Sequence, residues 1–175
     1  METMVCEGLC KNYGSLKALD HVDLHLEEGR IIGLLGPNGS GKTTLIKLAA
    51  GLLVKSDGNI TICGRKPDEQ TKAMVSYLPD RNYLPDWMNA KELLSMYEDF
   101  FSDFDRGRAV NMLNSLNIDM KMPLKKMSKG TKEKVQLIVT MSRHAKLYLL
   151  DEPIAGVDPA ARDYILRTII SNYDE

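Results

Sequence analysis

The sequence predicts an α/β protein with a mixed, mostly parallel sheet, an N-terminal antiparallel β subdomain and an inserted helical subdomain. Apolar and polar residues alternate over 21–27 and 59–63, which is typical of antiparallel strands with one solvated face. Continuous apolar runs at Ile31–Leu35 and Leu147–Leu150 instead indicate strands buried on both faces of a parallel sheet. Helical apolar spacing indicates the inserted part over 79–142, so that residues 1–78 and 143–175 would form the core.

Further elements follow from the same patterns. Residues 75–78 are a candidate for a third buried strand. Asn89 is typical of an N-cap, and the helix that follows it would bury Leu93, Tyr97, Phe100, Phe101 and Phe104. A later helix would start near Ser128.

Composition excludes several classes of protein. The 175 residues are 43% hydrophobic and 27% charged, which is ordinary for a globular chain. Lysine and arginine number 23 against 24 aspartates and glutamates, a net charge of −1 that argues against a nucleic-acid partner held by bulk charge. The sequence has neither an apolar run of the roughly 18 residues that span a membrane nor the features of a signal peptide. We therefore expect a cytoplasmic chain without a nucleic-acid partner.

The cysteines and the first two histidines carry no predicted chemistry. Cys6, Cys10 and Cys63 are too few and too irregularly spaced for a disulfide framework or a four-ligand zinc site. His21 and His25 fall on the polar side of an alternating strand. We expect buried thiols and two solvated imidazoles.

A phosphate-binding turn follows the first continuous apolar run. Gly36–Thr43 matches the pattern G-x-x-x-x-G-K-[ST] and precedes a helical pattern over 41–53. Glycines allow the backbone N–H groups to converge as an anion nest, and the following helix adds its positive end. Lys42 would bring a full charge to the β- and γ-phosphates, and the Thr43 hydroxyl would ligate Mg²⁺. This predicts a P-loop core that binds a nucleoside triphosphate.

Two carboxylates follow the second continuous apolar run. Asp151 and Glu152 come directly after Leu147–Leu150. Ligands gather at the carboxyl edge of a parallel sheet, so we expect Asp151 to hold Mg²⁺, directly or through water. Glu152 would orient or deprotonate the attacking water.

Together these motifs resemble the nucleotide-binding domain of ABC (ATP-binding cassette) transporters over nearly the whole chain. The matching segments, in the order that the family has, are Lys11–Gly14, Gly36–Thr44, Met127–Thr131, Asp151–Pro153 and Gly156–Pro159. The resemblance implies ATP and Mg²⁺ as ligands and Tyr13 stacked on adenine. The phosphates would be bound by Gly36, Asn38, Gly39, Ser40, Gly41, Lys42, Thr43 and Thr44.

The resemblance also implies protein partners. In this family two nucleotide-binding domains, identical or homologous, pack head to tail around ATP. Ser128, Lys129 and Gly130 would therefore meet the partner's ATP, and Asp158 would lie near the dimer seam. The helical subdomain would dock a transmembrane permease, placing the chain on the inner face of the membrane. The pattern is similar to bacterial exporter subunits for peptides or antibiotics.

Three departures from the family pattern affect hydrolysis. Asp80 stands where the family has glutamine, although a carboxylate can still bind Mg²⁺ or its water. Lys129 replaces one of two glycines, and it could reach the partner's phosphate or be solvated. The family's γ-phosphate histidine has no counterpart, since every histidine precedes Asp151. We expect a cassette that is truncated at its C-terminus and binds ATP without efficient hydrolysis.

Other classes remain as alternatives. A non-transport ABC ATPase acting on ribosomes or DNA usually joins two cassettes or carries a long coiled coil, and the sequence has neither. A GTPase or small-molecule kinase is disfavoured because there is no Asn-Lys-x-Asp guanine motif and Tyr13 favours adenine. A module that binds ATP without hydrolysing it stays open.

Overall fold

The computed structural model describes residues 2–153, 163, 164 and 166–170, and the chain divides into two compact units, Met1–Val75 and Ser76–Glu175. The first unit contains β1 (Glu2–Tyr13), β2 (Leu16–Glu27), α1 (Lys42–Ala49), β3 (Asp57–Ile62) and α2 (Glu69–Met74). From the unit boundary onward follow β4 (Val75–Leu78), α3 (Ala90–Phe100), α4 (Arg106–Ser115), a 3₁₀ turn (Leu124–Lys126), α5 (Lys129–Met141) and β5 (Leu147–Leu150). Residues 163, 164 and 166–170 are also helical.

The first unit is built on a three-stranded antiparallel sheet in the order β2-β1-β3. Val22, Leu24 and Leu26 are half-buried while the residues between them are exposed, which confirms the predicted alternation. Ile60 and Ile62 of β3 are buried, as their spacing predicts. The antiparallel N-terminal part of the fold therefore forms where the sequence places it.

The predicted strand at Ile31–Leu35 is wrong. Residues 31–35 have no regular secondary structure, and each of them is exposed, Leu35 by 92%. No strand of the described residues pairs with this segment. A strand needs a hydrogen-bonded neighbour to satisfy its backbone, and apolar composition alone does not supply one.

The two strands that frame the second unit lie side by side. In this sheet β4 pairs with β5, and the N–H of Asp151 donates to the carbonyl oxygen of Leu78 at 2.9 Å. The carboxyl ends of both strands therefore meet at one edge, which makes the pair parallel, and the intervening helices form the crossover. This confirms the predicted strands at 75–78 and 147–150.

Side-chain caps set the starts of the helices in the second unit. Asn89 accepts from the N–H of Glu92, whose carboxylate accepts from the N–H of Asn89, so that α3 begins with a full capping box. Ser128 caps α5 by accepting from the N–H of Thr131 at 3.1 Å. Both starts confirm the sequence-based prediction, because capping depends only on residues a few positions apart.

These helices enclose one apolar cluster. Its fully buried members include Leu93, Leu94, Leu113, Leu124, Val135 and Ile138. Tyr97 contacts the rings of Phe101 and Phe104, with both centroid distances at 5.5 Å. Phe100 is 75% exposed, so the expectation that it is buried is wrong. It is the last residue of α3, and the next residue, Phe101, packs against the cluster instead.

A buried ion pair joins the end of α5 to the connection between α3 and α4. Arg143, whose side chain is 3% exposed, donates to both carboxylate oxygens of Asp103, at 2.9 and 3.0 Å. The guanidinium carbon also lies 3.9 Å from the ring centroid of Phe101. A fork-shaped cation held by two parallel hydrogen bonds and an aromatic face has its charge fully compensated.

We expect the substitution Asp103→Ala to lower the free energy of unfolding by about 3–5 kcal/mol, because it leaves the buried Arg143 charge without its carboxylate. Urea denaturation followed by circular dichroism measures this loss. Asp99→Ala is the control, since Asp99 is an exposed carboxylate on α3 and its removal should change stability by less than about 0.5 kcal/mol. Equal losses of unfolding free energy in the two variants would show that the ion pair stabilises the fold no more than an exposed carboxylate does.

Candidate functional site

The loop before α1 has the backbone of an anion nest. Gly39 and Gly41 lie in the left-handed region, with φ of 83° and 89°. A Cβ added at Gly41 would sit 2.4 Å from the carbonyl oxygen of Ala18, so only glycine fits there. The N–H of Ser40 donates to the carbonyl oxygen of Pro37 at 3.2 Å and closes the turn. The loop is folded around its glycines as the motif predicts.

The ammonium group of Lys42 is hydrogen-bonded to this loop. Its ammonium group donates to the carbonyl oxygens of Gly36 and Pro37, both at 2.8 Å. Because α1 begins at Lys42 and is preceded by a glycine, no side chain caps its first N–H groups. These N–H groups and the ammonium together form a positive end suited to a phosphate.

The remaining predicted nucleotide residues of the first unit lie on or beside this loop. Thr43 and Thr44 occupy the first turn of α1 and are half-buried, whereas Asn38 and Ser40 are exposed in the loop. The Thr43 hydroxyl offers a hard oxygen donor.

Tyr13 ends β1 with an accessible ring. It is 46% exposed, and the ammonium nitrogen of Lys11 lies 5.0 Å from the ring centroid. Lys11 also donates to the carbonyl oxygen of Val54 at 2.8 Å, which holds it in place. A lysine on one face of an aromatic ring leaves the other face for stacking.

In the second unit, carboxylates gather at the edge where β4 and β5 end. Asp151 is 2% exposed. The Tyr77 hydroxyl is buried and has no hydrogen-bond partner among the described residues. Burial, with the negative charges of Asp151 and Asp80, raises the pKa of Tyr77 to about 12. The structure therefore brings Asp80 and Asp151 to the same place.

This carboxylate edge fits a divalent cation of the magnesium type. Asp80 and Asp151 offer only carboxylate oxygens, and hard oxygen ligands are those that Mg²⁺ prefers. Asp151 is 2% exposed, and a cation bound beside it would offset part of the cost of burying its negative charge. The donor set of the second unit is thus consistent with the predicted metal residues.

Glu152 opens onto a cavity of about 310 Å³ in the second unit. Its backbone is left-handed, with φ of 51°, which costs a non-glycine residue about 1–2 kcal/mol. Such strain is often found at functional positions. Asp80 and Lys129 line the same cavity, so three of the predicted residues share it.

Sequence reasoning missed several residues that line this cavity, notably Arg81, Lys132 and Gln136. Gln136 is 3% exposed, and its amide donates to the carbonyl oxygen of Arg81 at 3.1 Å. Lys132 donates to the carboxylate of Asp86 at 2.6 Å. Positions 129, 132, 133 and 136 follow helical spacing, which could have identified one face of α5.

The predicted signature residues stand at the start of α5. The Ser128 hydroxyl is engaged as the helix cap, and it also lies 2.8 Å from the Thr131 hydroxyl. Lys129 lies 3.8 Å from the carboxylate of Glu133, with 82% of its side chain exposed. Gly130 is half-buried. The predicted D-loop residue, Asp158, lies outside the described residues.

Among the helices of the described residues, none has both the length and the apolar character needed to cross a membrane.

The chain is similar to known proteins in both sequence and fold. It is 36% identical over 170 residues to YdbJ, an uncharacterised ABC transporter ATP-binding protein of Bacillus subtilis, covering 91% of this chain and 54% of that one. It is 30% identical over 182 residues to SkfE of the same organism, the SkfA peptide export ATP-binding protein, covering all of this chain and 76% of SkfE. It spans about half the length of several curated relatives that it matches.

Solved structures share the fold. A putative ABC transporter ATP-binding protein from Pyrococcus furiosus superposes with a TM-score of 0.84 and 25% identity, covering 98% of this chain and 86% of that one. The family model described as ABC transporter matches residues 19–155, which include the nest, the cavity and both carboxylates after β5. The chain therefore belongs to the ABC transporter family.

Proposed function

We propose that this chain binds ATP with Mg²⁺ as the ATP-binding part of a transporter, and that it hydrolyses ATP inefficiently because Asp80 and Lys129 depart from the family pattern. The observation that carries the proposal is the nest at Gly36–Thr43, in which Lys42 and the start of α1 concentrate positive charge. Such a loop suits the β- and γ-phosphates of a nucleotide. ATP binding would exchange the two carbonyl contacts of Lys42 for contacts with phosphate oxygens.

Tyr13 would stack on the adenine ring through the face that Lys11 does not cover. Stacking on an aromatic ring adds affinity for the base. The exposed ring and the fixed position of Lys11 support this role.

Mg²⁺, when bound, would neutralise the developing charge on the phosphates. Thr43, Asp151 and Asp80 would hold it or its waters through their oxygen atoms. The Glu152 carboxylate would orient a water and accept its proton as the water oxygen attacks the γ-phosphorus. The bond between that phosphorus and the bridging oxygen of ADP then breaks, and ADP and phosphate are released.

A second nucleotide-binding domain would complete the site. Ser128, Lys129 and Gly130 would present the start of α5 to the partner's ATP, with Asp158 at the seam. The Ser128 oxygen caps α5 by accepting from the N–H of Thr131, which is compatible with its O–H donating to a phosphate at the start of the helix. Lys129 is exposed enough to add its charge to that phosphate.

The transport role is a proposal for the whole protein. The helical subdomain, 79–142, would dock a transmembrane permease and keep the chain on the inner face of the membrane. The relative named for peptide export favours export as the direction of transport.

We expect Lys42→Ala to weaken ATP binding by at least about tenfold, since a charge-assisted hydrogen bond contributes about 1.5–3 kcal/mol. Isothermal titration calorimetry with ATP and Mg²⁺ measures the change in Kd. Lys47→Ala, a lysine in the last turn of the same helix, is the control and should leave Kd unchanged. An unaltered Kd for Lys42→Ala would show that ATP does not bind at the nest.

We expect Tyr13→Ala to reduce ATP affinity by about 1–3 kcal/mol, the contribution of one stacked base. Tyr13→Phe keeps the ring and should bind as the unaltered chain does. The same calorimetric titration compares the two variants. If both lost affinity equally, the hydroxyl and not the ring face would be responsible.

We expect Glu152→Gln to lower the rate of ATP hydrolysis by about 10²–10⁴, the usual contribution of a general base, with ATP affinity retained. Phosphate release and nucleotide binding are measured in parallel. The control is Glu133→Gln, another carboxylate at the same cavity, which should keep its turnover. Unchanged turnover in Glu152→Gln would exclude Glu152 from the mechanism. Absent turnover in the unaltered chain would contradict hydrolysis by this chain while leaving ATP binding intact.

A further inference from the structure

A β-bulge interrupts the pairing of β1 with β2. Leu9 pairs with Val22 and Lys11 pairs with Leu19, so Cys10 alone stands opposite two residues, Asp20 and His21. A bulge of this kind redirects the side chains beside it, and such bulges are over-represented next to functional sites.

The bulge brings three potential metal ligands together. One ligand atom each from Cys10, Asp20 and His21 lie within 4.8 Å of one another. The N–H of His21 donates to the Cys10 sulfur at 3.2 Å, and its ring Nδ1 lies 2.8 Å from the Asp20 carboxylate. The first contact joins β2 to β1, and the second lies within β2.

His21 adopts a left-handed backbone conformation, which is uncommon for residues other than glycine. Its φ is 49°, in the left-handed region where glycine or asparagine would be the easier choice. A histidine held there by its neighbours is a strained position, and strain of this kind commonly accompanies a ligand-binding role.

One of the three potential ligands is buried, and the other two are exposed to solvent. Cys10 is 6% exposed, whereas the side chains of Asp20 and His21 are 51% and 76% exposed. An ion could therefore enter from solvent and reach the buried sulfur. The ammonium group of Lys17 lies 3.1 Å from the Asp20 carboxylate, so a bound ion would displace an exposed lysine from this carboxylate.

The donor set points to one class of ion. A thiolate, an imidazole and a carboxylate suit Zn²⁺, with a water as the fourth tetrahedral ligand, and do not suit Mg²⁺ or Ca²⁺. We propose that Cys10, Asp20 and His21 form a zinc site at the bulge between β1 and β2. This site lies entirely in the first unit and does not depend on the proposed ATP chemistry.

The chain offers a matched control for each chemical group. His25 and Glu2 form a second histidine–carboxylate pair, with Nδ1 and Oε1 at 2.8 Å. Cys63 is a second cysteine at a position of left-handed backbone, with φ of 48°. If a histidine–carboxylate pair or a cysteine were enough to bind zinc, substitutions at these control positions would weaken zinc binding as much as substitutions at the bulge.

The test is titration of the purified chain with Co²⁺, the spectroscopic substitute for zinc, followed by competition with Zn²⁺. We expect tetrahedral absorption with a thiolate-to-cobalt charge-transfer band that saturates at one ion per chain. Cys10→Ser should abolish the band, while Asp20→Asn and His21→Asn should weaken zinc affinity by at least about tenfold. Cys63→Ser and His25→Asn should leave the cobalt charge-transfer band and the zinc affinity unchanged.

His21→Asn keeps the test informative if Cys10→Ser fails to fold, because asparagine tolerates the left-handed backbone. Zinc should raise the melting temperature of the unaltered chain and of His25→Asn but not that of His21→Asn. A band that survives Cys10→Ser, or equal zinc affinity in His21→Asn and the unaltered chain, would overturn the proposal.

Discussion

The close approach of Gly41 to the carbonyl oxygen of Ala18 is the constraint on which the nucleotide loop depends. A Cβ at this position would lie 2.4 Å from that oxygen, so any other residue would push the start of α1 away from β2. Lys42 also holds the loop by donating to the carbonyl oxygens of Gly36 and Pro37. A phosphate thus meets a loop that is already organised, and little ordering entropy is lost on binding.

The second unit depends on the parallel pairing of β4 with β5. Because both strands end at one edge, the chain delivers Asp80 after one strand and Asp151 and Glu152 after the other. Burial raises the pKa of Tyr77, and the negative charges of Asp151 and Asp80 at this edge raise it further. The Arg143–Asp103 pair joins the end of α5 to the connection between α3 and α4, two of the helices that link the two strands.

Sequence reasoning succeeded where a feature depends on neighbours along the chain. The caps at Asn89 and Ser128 and the alternation in β2 are local, and each was predicted correctly. Sequence reasoning failed at residues 31–35 and at Phe100. Apolar side chains make burial favourable, but they do not show that the fold supplies a surface to bury them against. The roles assigned to Glu152, to Tyr13 and to the signature residues remain predictions from motif and geometry.

By itself, the sequence determined the glycine spacing and lysine of the phosphate loop, the carboxylates after β5 and the starts of the helices. Each of these is encoded by residues a few positions apart, through backbone conformation and local hydrogen bonds. Only the tertiary structure decided that Cys10 faces Asp20 and His21 and that one side of α5 lines a cavity with Glu152. Strand register and helix orientation arise from contacts between distant parts of the chain, and no local pattern specifies them.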